Sequence, residues 1–528
     1  MRPALRLFSH LFRIVVCVAL VCALCRTAQA ADATLFPANN AVRINPDTHL
    51  VLIFPSAPTL GKSGQIRIYD AAGHQLVDTL DLSIPPGPDP SRRVTITNGV
   101  PLDASVPTSP TTTTPAVRVT PPDLHNYQLT TIGGLDNFHF YPVIIHGNMA
   151  TIYPHNHALQ YGHTYIVQID PAVFTLAGAG DPFAGFTTDS AWTFTTKKSP
   201  PRAGATRITV DDDGKGDFNT IQGAVDFVPD HPLHRVTIFI KNGTYEEIVF
   251  CRGKSNLTFK GQDRDKVQVG YANNSAFNPP QPGPNRRCAF SVYECSDIDL
   301  ANFSVNNYAY GQAEGLLLYG QRIIVDHMNI KGSGDALNLR GPVYLADSRI
   351  IGDGDTILGV GPAFFHHCEL QSFGAFMWIR NTEANHGNVF VDCSFTARVR
   401  AVSTARSPAA AGPTAATSAT PAPAQPVSGA VFARLPNNHG ANYPYAEAVL
   451  INCRLQGIPP VGWGPIEADT AHLHLWEFHS TDLDGHPIDV TQRNPASKQL
   501  TLPQDAQTIA NYSDPSFVLG GWKPNVKD

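Results

Sequence analysis

Five four-residue segments share one pattern: HMNI (327–330), DSRI (347–350), HCEL (367–370), DCSF (392–395) and NCRL (452–455). Each follows a short apolar run such as RIIV, VYLA, AFFH, VFV or VLI. The second position recurs at 328, 348, 368 and 393, in steps of 20, 20 and 25. A period near twenty, rich in β-branched residues and without helical spacing, predicts a parallel β-helix. One turn of such a solenoid cannot bury its own apolar face, so turns stack, and the small second-position residues form an internal ladder. Equivalent residues on successive coils then lie ~4.8 Å apart. The step from 393 to 453 is too long for one coil. It contains residues 403–429, an Ala/Pro/Thr/Ser tract that cannot form a core, which reads as a disordered insertion.

The chain has 528 residues, room for two or three domains. Only 16% of residues are charged and the net charge is −6, with no basic block or stripe, so a nucleic-acid partner is not expected. High glycine and proline, 42 and 44 residues, beside many Val/Ile/Thr runs favour an all-β chain. Residues 1–30 read as a signal peptide. Arg2, Arg6 and Arg13 supply charge, FRIVVCVALVCAL is the apolar core, and Ala28-Gln29-Ala30 fits a cleavage site. The run is short for a membrane span. A secreted or periplasmic protein, with no span once the signal is removed, is the expectation. Six cysteines remain: Cys251, Cys288, Cys295, Cys368, Cys393 and Cys453. At least three lie on the repeat, which favours buried free thiols. Cys288 and Cys295 are the best pair for a disulfide.

Residues 31–198 differ in character. HLVLIF (49–54), QIRIYD (65–70), YIVQID (165–170) and AWTFTT (191–196) are short strand candidates separated by turn signals, which suits a β-sandwich. With FPANNAV near its start and WTFTT at its end, the segment resembles the bacterial Ig-like modules, and a spacer role is favoured over carbohydrate binding. SVPTSPTTTTPAV (105–117) reads as an extended surface loop. His155 and His157 lack a third ligand and read as surface residues. KKSPPRAGA (197–205) marks the boundary.

Counting along the repeat places chemistry on one face. Seven residues past Met328 is Asp335, seven past Ser348 is Asp355, and seven past Cys368 is Ala375. Two aspartates therefore stack on adjacent coils, and Gln312, about one coil further back, extends the polar line. Carboxylates at this spacing interact, so one tends to keep its proton while the other ionises. The plain alternative is a pair of exposed turn aspartates among glycines.

Residues 205–528 resemble the pectin methylesterases, which implies a right-handed parallel β-helix. VDDDGKGDFNTIQGAV (210–225) and GTYEE (243–247) resemble that family's N-terminal signature and its GxYxE strand, both remote from the ester. The family's QAVAL, QDTL and GTVDFIFG motifs admit two alignments, one coil apart. Setting GDTIL (354–358) on QDTL puts the nucleophile at Ala375. The other register sets Gln312-Ala-Glu-Gly-Leu316 on QAVAL, Gly334-Asp-Ala-Leu337 on QDTL and GDGDTILG (352–359) on GTVDFIFG. It keeps both aspartates and is preferred. Downstream, FARLP (432–436) resembles LGRPW and PVGW (460–463) resembles PxGW.

What the resemblance implies is an esterase acting on methylated polygalacturonate without a cofactor or metal, with a monomer expected. Asp355 would be the nucleophile and Asp335 the acid, then the base. Gln312 would donate to the oxyanion and Arg434 would orient Asp355. Trp463 and Trp378 would bind the sugar, although packing is the better reading for Trp378. Three departures stand out: Gly334 replaces the glutamine of QDTL, Pro436 replaces the tryptophan of LGRPW, and Asp353 is an extra charge. The alternatives are a polysaccharide-binding or altered-substrate relative, and a calcium-dependent lyase using GDGD. A calcium site needs six to eight oxygens that the local sequence does not supply. His366-His367 and His472-Leu-His474 show no metal-site spacing.

Overall fold

The structure is a computed structural model that describes residues 33–88, 96–97, 100–101, 126–171, 173–176, 183–281, 283–398, 429–437, 442–467 and 469–526. The expected signal peptide, the Thr/Pro loop and the 403–429 insertion up to residue 428 lie outside the described residues. The chain divides into two compact units. The first comprises residues 1–44, 49–84 and 141–198; the second comprises 45–48, 85–140 and 199–528.

The first unit is built of β-sheets, as its strand spacing predicts. Thr34–Phe36, Leu50–Ile53, Met149–Ile152 and Val143–His146 form an antiparallel sheet. Ala41–Ile44, Thr193–Thr196, Thr164–Ile169, Gln65–Asp70 and Gln75–Asp81 form a second. Phe54, Phe174, Phe183, Trp192 and Phe194 are buried in a sandwich-like core. His155 is tied to Asp78, Nδ1 to Oδ1 at 2.7 Å.

The second unit is a stack of parallel strands. One ladder runs through Leu316–Asp326, Val343–Ala346, Ala363–His366, Asn388–Val391, Glu447–Ile451 and His474–Phe478. A second runs through Asn329–Lys331, Arg349–Gly352, Glu369–Ser372, Ser394–Ala397 and Arg454–Gln456. The third runs through Leu337–Arg340, Ile357–Gly359, Met377–Ile379 and Ala433–Arg434, which carries the candidate site. Every pairing in these ladders is parallel, so the solenoid read from the period is the observed architecture.

The four-residue repeat has a physical basis at each position. Its first residue turns the chain between the first two ladders: His327, Asp347, His367, Asp392 and Asn452 all hold φ between 46° and 55°. Asn, Asp and His tolerate this left-handed conformation better than branched residues do. The second residue is buried in every case, and the ladder is hydrogen-bonded. The Met328 amide donates to Ser348 Oγ at 3.0 Å and the Cys368 amide to Cys393 Sγ at 3.3 Å. All six described cysteines are free and buried, and Cys288 is not joined to Cys295; Cys295 instead lies 3.8 Å from Cys251, sulfur to sulfur.

The N-terminal signature closes the end of the stack. Its helix, Ile221–Phe227, is capped by Thr220, whose Oγ1 accepts from the Gly223 amide. Glu247, the last residue of GTYEE, accepts from the Ile221 and Gln222 amides at 2.7 and 2.9 Å. Both motifs are therefore structural, coupling a strand end to a helix N-terminus.

Candidate active site

The site is assembled by coil register. Leu316, Leu337, Ile357, Met377 and Ala433 are partners in successive parallel pairings, with their side chains in the core. Two residues before each lie Glu314, Asp335, Asp355, Ala375 and Val431. Asp335 and Asp355 thus sit on neighbouring coils, with Ala375 beyond. The residue in register beneath Asp335 is Glu314 and not Gln312, which lies two positions earlier and is exposed. The predicted polar line is corrected to Glu314, Asp335 and Asp355, with Gln312 at its edge.

The two aspartates have unlike surroundings. Asp355 holds φ at 45°. Arg434 grips it with both arms of its guanidinium: Nε donates to Oδ1 at 2.6 Å and Nη2 donates to Oδ2. Such a bidentate pair fixes the orientation of a carboxylate. Asp335 is 8% exposed, and its pKa is pushed up to about 8. Burial is the main cause, and the Glu314 charge adds to it, Arg287 opposes it, and Asp355 contributes further. One carboxylate is thereby biased toward its protonated form and its neighbour is paired with a fixed cation.

Three charged residues escaped the sequence reading. Glu314 is fully buried. Arg287 donates to it from Nε, at 2.9 Å to Oε1 and 2.6 Å to Oε2, and from Nη2 to Oε1. The same guanidinium donates from Nη1 to Gln312 Oε1 at 3.3 Å, and its Nη2 lies 3.5 Å from Asp335 Oδ2. Arg380 directly follows the strand Met377–Ile379, and its buried Nε and Nη2 have no hydrogen-bond partner. Glu314 was legible as a charge in an apolar slot, two residues before LLLYG. Arg287 carried no signal, because its place depends on how the chain enters the strand Phe290–Ala301.

The two tryptophans are placed differently. Trp463 has no exposed surface and packs on Phe432, ring centroids 4.9 Å apart, so it offers no face to a sugar. Trp378 pairs with Arg434 across the ladder and is half-buried. The guanidinium carbons of Arg434 and Arg380 lie 5.4 and 4.9 Å from its ring centroid. It is the aromatic residue of the site, although packing was the expectation for it. Asp353 also gains a role: its Oδ2 accepts from Ser333 Oγ at 2.9 Å, bonding one coil to the one before.

Elsewhere, the stack brings His366 and His367 beside Asp392, where spacing alone showed no link; each histidine Nε2 lies within 3.9 Å of Asp392 Oδ2. His474 is held by Glu447, Nδ1 to Oε2 at 2.7 Å. Among the described residues, no helix is long and apolar enough to cross a membrane.

Comparison with known proteins adds an independent line. Residues 207–399 match the family model described as Pectinesterase. Pectinesterase 31 of Arabidopsis thaliana is 28% identical over 205 residues, covering 36% of this chain and 64% of that protein. A pectinesterase of Ralstonia solanacearum is 27% identical over 203 residues, 32% of this chain and 51% of its own. The chain thus spans about half to two thirds of the length of these two curated relatives. Among solved structures, pectin methylesterase from carrot aligns over 61% of this chain and 95% of its own, with 18% identity and a TM-score of 0.47. Arg434 lies beyond the matched stretch, whereas both aspartates, Gln312 and Trp378 lie inside it. Family match and stacked coils coincide: residues 207–399, which match the Pectinesterase model, hold stacked parallel strands and both aspartates.

Proposed function

We propose that this chain is an exported aspartyl esterase that hydrolyses methyl esters of polygalacturonate and releases methanol. The observation that carries the reading is the unlike pair on adjacent coils: Asp355 in the fork of Arg434, and Asp335 buried with its pKa near 8. That is the division of labour an acyl-enzyme route requires. A carboxylate oxygen of Asp355 attacks the ester carbonyl, and the tetrahedral intermediate collapses as the bond to methoxide breaks. Asp335 gives its proton to the methoxide, which leaves as methanol. Asp335, now ionised, takes a proton from water, and the hydroxide adds to the acyl-enzyme carbonyl. Collapse expels the Asp355 carboxylate and frees the galacturonic acid, with Asp335 protonated again. The sum is ester plus water giving acid plus methanol.

Arg380 and Trp378 support a uronate substrate. A half-buried guanidinium whose Nε and Nη2 have no hydrogen-bond partner, beside an aromatic face, suits an anionic sugar. An Arg380→Met variant is expected to raise KM several-fold on partly de-esterified pectin and to change it little on the fully methylated polymer. The N-terminal Arg/apolar/Ala-Gln-Ala pattern supports export.

The deciding assay is methanol release from methylated pectin, wild type beside Asp355→Asn. Release from the wild type, reduced by at least three orders of magnitude in the variant, is expected. Unchanged release in Asp355→Asn removes Asp355 as nucleophile. Binding of pectin without methanol from either protein turns the reading to a polysaccharide-binding relative.

A further inference from the structure

Gly334 stands where the resembled motif carries a glutamine amide, and the backbone explains the exchange. Its φ is +67°, and a Cβ there would lie 2.6 Å from the Gly311 carbonyl oxygen. No side-chain donor fits this position unless the Gly311–Gln312 segment moves. The site nevertheless holds a donor nearby. Gln312 Oε1 accepts from Arg287 Nη1 at 3.3 Å. A primary amide whose oxygen faces a guanidinium turns its NH2 the other way. Arg287 is itself immobilised, because Nε and Nη2 close on Glu314, a carboxylate with no exposed surface. A buried carboxylate is strongly unfavourable without its cation, so this pair has little freedom.

We propose that Arg287 is the positioning residue of the oxyanion site: anchored by buried Glu314, it holds the Gln312 amide with its NH2 presented to the ester carbonyl, and so fixes the one side-chain donor left where Gly334 supplies none. Two changes in the motifs, a glutamate in the apolar slot of QAVAL and a glycine at the head of QDTL, thereby become linked: the first anchors the cation that fixes the donor the second leaves alone. The proposal rests on the ester-hydrolase reading.

The test is a double-mutant cycle on methanol release from methylated pectin, with Gln312→Ala, Arg287→Met and the combined variant. Each single change is expected to lower kcat by ~10²-fold, the effect of losing one oxyanion donor, with KM within about twofold. The combined variant is expected to be no slower than Gln312→Ala alone, because Arg287 acts through Gln312. Arg287→Met leaves Glu314 unpaired; should it not fold, Arg287→Lys runs the same cycle, keeping the cation but losing the fork that reaches Gln312. An active wild type with losses that multiply in the combined variant overturns this proposal alone. A wild type that releases no methanol overturns the esterase reading and this proposal with it.

Discussion

Asp335 is the residue through which pH acts on this site. Its pKa is raised from 3.8 to about 8, so the folded state binds a proton that the unfolded chain releases. Stability contributed by that proton is present below about pH 4 and is lost as pH rises to about 8. Asp335→Asn is therefore expected to be more stable than wild type, with the gap widening between pH 5 and pH 8 in chemical denaturation. The charged neighbours are Glu314, Arg287, Asp355, Arg380 and Arg434. As the acid must start protonated, kcat/KM is expected to fall above about pH 8. Glu314→Gln removes the negative charge beneath Asp335 and leaves Arg287 to face it, so this alkaline limb moves to lower pH. An unmoved limb shows that Glu314 does not tune the acid.

At the scale of the element, the turn between the first two ladders sets which residues can repeat. Asn452 holds φ at 54° and the next residue, Cys453, is fully buried. A β-branched side chain in this conformation costs ~1–2 kcal/mol, so Asn452→Val is expected to lose about that much in urea denaturation while Asn452→Gly stays near neutral. The ladder position behaves differently: Cys393→Leu adds volume to a close-packed interior and is expected to cost ~1–3 kcal/mol. These two constraints, a left-handed turn residue followed by a small buried one, are why the repeat was legible at all. Glu314 stood out only as a charge in an apolar slot; its pairing with Arg287 was not legible, because it depends on how the preceding loop meets the coil, and no local pattern marks that.

For the second unit as a whole, Glu447 ties distant segments together. Its carboxylate accepts from His386 Nδ1 at 2.8 Å, His474 Nδ1 at 2.7 Å and the Tyr512 hydroxyl at 2.6 Å. This joins three successive coils to the C-terminal helix Ala506–Tyr512. Burial alone would raise the Glu447 pKa, but the bonds from His386, His474 and Tyr512 outweigh it and hold the value at about 2. The depressed pKa contributes stability that is present above 4.5 and lost as pH falls through about 2. Glu447→Gln is expected to cost roughly 3 kcal/mol at pH 6, at ~1.4 kcal/mol per unit of pKa, and much less near pH 2. An equal loss at both pH values refutes the ionic account.

By itself the sequence determined the solenoid, its coil length, and the placing of Asp335 and Asp355 on neighbouring coils. It could do so because a stacked fold turns a linear period into spatial contact. The tertiary structure decided the rest. Which tryptophan is buried, what pairs with Glu314, and where Arg287 and Arg380 point all depend on contacts between coils and loops. Those contacts follow from the packing of particular side chains, which has no period for a sequence to display.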